Sequence, residues 1–73
     1  MEHESLQTLR REAGFRSQCT VADSLGVDRS TVAKWESGKA LPRTGKIVEL
    51  SKLFNCSVQR IMDALTLTAS NEN

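Results

Sequence analysis

The sequence predicts an all-α domain of five short helices, with a helix-turn-helix formed by the second and third. Three observations carry this. Apolar residues recur at three- and four-residue spacing, and no segment reads convincingly as a strand. Gly14, Gly26 and Gly38 fall where the helical stretches should stop, as residues that accept the left-handed conformation of a helix end. Seventy-three residues, 38% of them hydrophobic, suffice for one small core and are too apolar for a disordered chain.

Ser5 is a good N-cap for a first helix with Leu6, Leu9 and Ala13 on one face, ending near Gly14, after which Phe15 packs the corner. Ser17 caps a second helix through Leu25, with Val21, Ala22 and Leu25 facing inward. Gly26 ends it and Val27 plugs the turn. Asp28 caps a third helix over 29–37. Its Val32 and Trp35 point to the core, and Arg29, Ser30, Ala33 and Lys34 lie nearer solvent. Residues 39–44 form a loop around Pro42. A fourth helix fits 45–54, with Ile47, Val48, Leu50, Leu53 and Phe54 as an apolar stripe. Gly45 is tolerable in a first turn but costs about 1 kcal/mol inside a helix, so the start falls at Gly45 or one or two residues later. Ser57 caps a fifth helix with Val58, Ile61, Met62 and Leu65. The domain read in this way spans 1–66, and the polar tail 67–73 is expected to fray.

Several function classes find no support. The one histidine, His3, stands near the terminus, and with Cys19 and Cys56 it lacks the close spacing of a structural zinc site. No Gly-rich phosphate loop follows a strand. Glu12, Asp23, Asp28, Glu36 and Glu49 read as caps, pairs and surface charges rather than as an acid–base couple. No enzymatic activity, metal, cofactor or small-molecule substrate is therefore expected. Two cysteines are too few for a dense secreted disulfide scaffold. Free, largely buried thiols in a reducing cytosol are the first reading, with one bridge or a redox switch as the alternative. No apolar run approaches the ~18 residues of a membrane helix, and the acidic N-terminus does not resemble a signal peptide, so a cytoplasmic location away from the membrane is expected.

Charge is unevenly placed although the net is only +1. Residues 1–28 carry three basic side chains against five acidic; residues 29–60 carry seven against two. That local surplus suits a polyanion, and a solubilising surface is the alternative. The stretch LGVDRSTVAKWESGK, 25–39, reads as a helix end, a glycine turn and a short helix with a basic, hydroxyl-rich face, which is the signature of a helix that enters the major groove. Arg29 in its first turn can donate two hydrogen bonds to guanine O6 and N7. Ser30 can bond to a base edge or a phosphate, Lys34 one turn on reaches the groove wall or another guanine, and Ala33 offers a methyl to a thymine methyl. Gln18 and Ser17 open the second helix, where an amide and free backbone N–H groups can seat a phosphate. Lys39 and Arg43 flank the following loop and suit phosphate anchoring. For each of these side chains the alternative is an ordinary solvated surface.

The chain resembles the Cro/cI-type helix-turn-helix domains of lambda-repressor-like fold. The resemblance covers about 6–65 and rests on Arg10 before Gly14; Ser17-Gln18; Val21-Ala22; Leu25-Gly26-Val27; Ser30-Thr31-Val32; Trp35-Glu36; Gly38; Pro42; and the run IVELSKLFNCSVQRIM. It implies that Gln18 clamps a phosphate, that Arg29, Ser30 and Lys34 read bases, and that Thr31 and Lys39 contact the DNA backbone. It also implies that Arg10 and Glu36 form a partly buried ion pair, and that two copies bind operator DNA as a symmetric dimer. Phe54, Cys56, Val58 and Met62 crowd one small surface and are the expected dimer contact. The corner GFRSQ has one residue more than the usual pattern, which offers Arg16 as a further phosphate contact. Thr44 and Gly45 stand where an apolar residue and a better helix former are usual. With no oligomerisation or cleavage domain after the fold, the chain resembles a small stand-alone phage or bacterial regulator, expected to act as a Cro-like repressor. Two other functions stay open: an antitoxin-like or plasmid-control protein with a protein partner, and a helical interaction module without DNA binding.

Overall fold

A computed structural model describes residues 5–70, with side chains through Thr66; His3 and residues 71–73 of the polar tail lie outside it. Among the described residues there are five helices: α1 (Leu6–Glu12), α2 (Gln18–Leu25), α3 (Arg29–Ser37), α4 (Thr44–Phe54) and α5 (Val58–Ser70). Serine hydroxyls start three of them, accepting from orphan backbone N–H groups. Ser5 Oγ accepts from Thr8 N at 3.2 Å, Ser17 Oγ from Thr20 N at 3.3 Å and Ser57 Oγ from Arg60 N at 3.1 Å. Left-handed residues end three: Gly26 closes α2 at φ 71°, Gly38 closes α3 at φ 85°, and Asn55 closes α4 at φ 55°.

All five helices contribute to one core, which holds Leu6 and Leu9, Val21, Ala22 and Leu25, Val32 and Trp35, Leu50 and Phe54, and Ile61, Ala64 and Leu65. The most extensive helix contact is between α2 and α3, the next between α4 and α5. α5 also packs on α1 and α3, α1 packs on α3, and α4 packs on α2. The buried side of α3 therefore rests on three helices while its other side stays bare.

Several expectations need correction. α4 starts at Thr44, a residue before the expected start rather than after it. Its first turn is closed by Ile47 N donating to Arg43 O at 2.9 Å, and exposed Gly45 sits in that turn, where glycine is least costly. Asp28 holds the N-cap position of α3 but makes no side-chain cap bond; Thr31 N donates instead to its backbone carbonyl at 3.0 Å. Cys19 is exposed rather than buried, because Val21, Ala22 and Leu25 fix the inward face of α2 on its other side; Cys56 is half-buried, and the two do not form a disulfide. The apolar stripe of α4 is narrower than its composition suggests, with Val48 exposed and Ile47 and Leu53 half-buried. The backbone of α5 runs to Ser70, four residues into the polar tail.

Candidate nucleic-acid interface

α3 is two-sided. Val32 and Trp35 are 1% and 4% exposed, and they anchor the helix on the core. Arg29, Ser30 and Lys34 are all exposed on the remaining surface, with Thr31 and Ala33 half-buried at its margins. In a helix, residues four apart stack on one face, so Arg29 lies over Ala33 and Ser30 over Lys34. Lys34 has no side-chain partner among the described residues, and neither do the exposed Arg16, Lys39 and Arg43. The next cation along the chain, Lys46, is committed elsewhere. Its ammonium donates to Leu25 O at 2.8 Å, at the C-terminal end of α2, and lies 3.3 Å from Glu49. A cation there complements the free carbonyls of the helix end and ties α4 to α2.

The start of α3 is joined to α2 and α1 by a continuous polar chain. Arg10 Nε donates to Glu36 Oε2 at 2.7 Å, with the two side chains 4% and 6% exposed. Arg10 Nη1 also donates to Phe15 O at 2.8 Å, which fixes the backbone of the longer corner before α2. The other oxygen of Glu36, Oε1, accepts from Gln18 Nε2 at 2.9 Å. Gln18 Oε1 in turn accepts from Arg29 Nη1 at 3.2 Å. The structure thus brings Arg10, Gln18, Arg29 and Glu36 into one network. Ser17 caps α2 beside it, its hydroxyl also 3.1 Å from Thr20 Oγ1.

The four residues expected at a dimer contact separate. Phe54 is a core residue at 7% exposure, its ring 5.8 Å from that of Phe15 in the corner between α1 and α2. Cys56 is half-buried and lines a shallow cleft with Leu9, Ala13 and Phe54, rimmed by an Arg60–Glu12 pair at 3.9 Å. Val58 and Met62 are 38% and 46% exposed, one turn apart on α5. Sequence reasoning did not anticipate the Lys46 bond to α2, the Arg10 bond to the corner or the Gln18–Glu36 bond. Each joins residues whose proximity depends on helix packing, and none leaves a spacing signal. Among the described residues, no group of three or more His, Cys, Asp or Glu side chains could hold a metal ion, and no helix is long and apolar enough to cross a membrane.

A short helix pinned by its apolar side across a glycine turn, with a bare cationic side, defines a class: the helix-turn-helix domains, whose second helix is built to lie in a DNA groove. Comparison with known families agrees. A helix-turn-helix family model matches residues 6–61, and the chain belongs to that family. It is also similar to the HTH-type transcriptional activator BcrR of Enterococcus faecalis, with 33% identity over 97% of this chain. The match spans only 35% of that relative's length. No solved structure gives a significant match.

Proposed function

We propose that the chain binds double-stranded DNA at a specific sequence and acts as a transcriptional regulator, with α3 in the major groove. The observation that carries this reading is the outward side of α3. It presents Arg29, Ser30 and Lys34 to solvent from a helix whose opposite side is locked into the core by Val32 and Trp35. Arg29 would take a guanine through its fork of N–H donors, Ser30 and Lys34 would meet neighbouring base edges, and Ala33 would pack on a thymine methyl. Gln18 keeps one amide N–H beyond the one given to Glu36, and that hydrogen suits a phosphate. Arg16, Ser17, Thr31, Lys39 and Arg43 complete the phosphate contacts that set the register.

A single reading helix covers few base pairs, so a symmetric dimer on a two-fold operator is part of the proposal. Val58 and Met62 supply its apolar contact, with Cys56 at the edge and Phe54 supporting them from the core. A site overlapping a promoter would make the chain a repressor; the activator name of the similar protein gives the opposite sign a specific motive. Selection of bound sequences from a random duplex pool, with the mass of the complex measured, tests the whole reading. The expected result is a palindromic consensus with half-sites ~10 base pairs apart and two chains per duplex. Enrichment of no consensus would overturn it.

A further inference from the structure

We propose that Glu36, a buried carboxylate, is a positioning residue for base readout: it sets which way the Gln18 amide faces, and through it the aim of Arg29. This rests on the reading of Arg29 as a base contact. A carboxylate can only accept hydrogen bonds, and both oxygens of Glu36 are engaged, one by Arg10 and one by Gln18 Nε2. A carboxamide has a donor end and an acceptor end. With an acceptor on its inner side, Gln18 must turn its NH2 inward and its carbonyl oxygen outward. That outward oxygen is the atom that takes Arg29 Nη1. The reversed amide would set oxygen against carboxylate and NH2 against guanidinium, two repulsions at once. Glu36 therefore fixes the polarity of a link whose far end lies on the reading surface.

The consequence for Arg29 is preorganisation. An exposed arginine is rich in rotamers, and holding one nitrogen before DNA arrives removes part of the ordering cost of binding. The hold uses one of five N–H donors and leaves the Nε–Nη2 edge to form the two-donor fork that a guanine requires. Gln18 thereby joins its phosphate seat to the base contact, and Glu36 joins both to Arg10 in α1.

The test compares discrimination between a selected duplex and duplexes changed at one base pair, at one salt concentration, for the full chain and the variants R29A, Q18M and E36Q. R29A should lose discrimination by ~10-fold or more at a single base pair. Q18M and E36Q should each lose several-fold at that same pair and nothing at the others. In an R29A background, neither should change it further. A merely structural role would lower affinity for every duplex alike. R29A losing its base pair while Q18M and E36Q keep it would overturn the relay alone. R29A keeping full discrimination would overturn the reading of Arg29 and the relay with it. If E36Q does not fold, E36D replaces it, keeping the charge for Arg10 while shortening the reach to Gln18.

Discussion

At the scale of the residue, two arginines of opposite character organise this domain. Arg29 stands in solvent and is held by one bond; Arg10 is 3% exposed and is held by two. Replacing Arg29 by Ala should leave the fold intact and cost ~1–3 kcal/mol on the preferred duplex, with much less lost on scrambled DNA. Titration of both duplexes at the same ionic strength checks this, since binding to phosphates is salt-dependent. Equal losses on the two duplexes would place Arg29 on the DNA backbone. Arg10→Ala should act on stability instead. It strands Glu36 as a buried charge and frees the Phe15 carbonyl, which costs ~3–5 kcal/mol when a pair is this deeply buried. A domain of this size is stable by roughly 4–11 kcal/mol, so the variant should be partly unfolded near physiological temperature. Urea unfolding measures the loss, and a midpoint within error of the parent would show that the pair contributes nothing.

At the scale of the element, the turn between α2 and α3 sets the geometry of the site. Gly26 has φ 71°, and a Cβ added there would meet nothing within 4 Å. Gly26→Ala should therefore suffer only the backbone cost of a left-handed L-residue, ~1–2 kcal/mol in thermal or urea unfolding, with no further loss from a clash. The base preference of the folded fraction should be unchanged; a changed consensus would mean that the turn itself had moved α3. This turn was also the most legible part of the chain, because Leu25-Gly26-Val27 and the Val32–Trp35 pair are local signals. Legibility failed where tertiary packing decides. Propensity alone puts the start of α4 at Gly45 or later, because it cannot say that Gly45 falls in an end turn. Phe54 and Met62 both fit an apolar stripe, and only the approach of Phe15 sends one into the core and leaves the other at the surface. Cys19 sits beside apolar positions without sharing their face, so its neighbours in sequence do not reveal its exposure. In the site, the cations of α3 could be read from the chain, but the Gln18–Glu36 bond spans eighteen residues and forms only when α2 has packed on α3.

At the scale of the whole molecule, the exposed pair Val58 and Met62 is the proposed dimer contact. Met62→Glu should leave the unfolding midpoint of the monomer nearly unchanged, since the side chain is 46% exposed. It should reduce the DNA complex from two chains per duplex to one, and make binding lose its steep dependence on protein concentration. Analytical ultracentrifugation with a selected duplex reads this directly; two chains still bound at the parent's affinity would move the dimer contact elsewhere. Trp35 bears on how all these variants are judged. It is the one tryptophan of the chain, and it lies on the core side of the helix proposed to face DNA. The emission of the protein is therefore a private signal from the underside of α3. Duplex docking on the outer side should leave the wavelength where it is while anisotropy rises, and unfolding should shift the emission to the red. A single fluorescence cuvette can thus tell a variant that has lost its reading from one that has lost its shape.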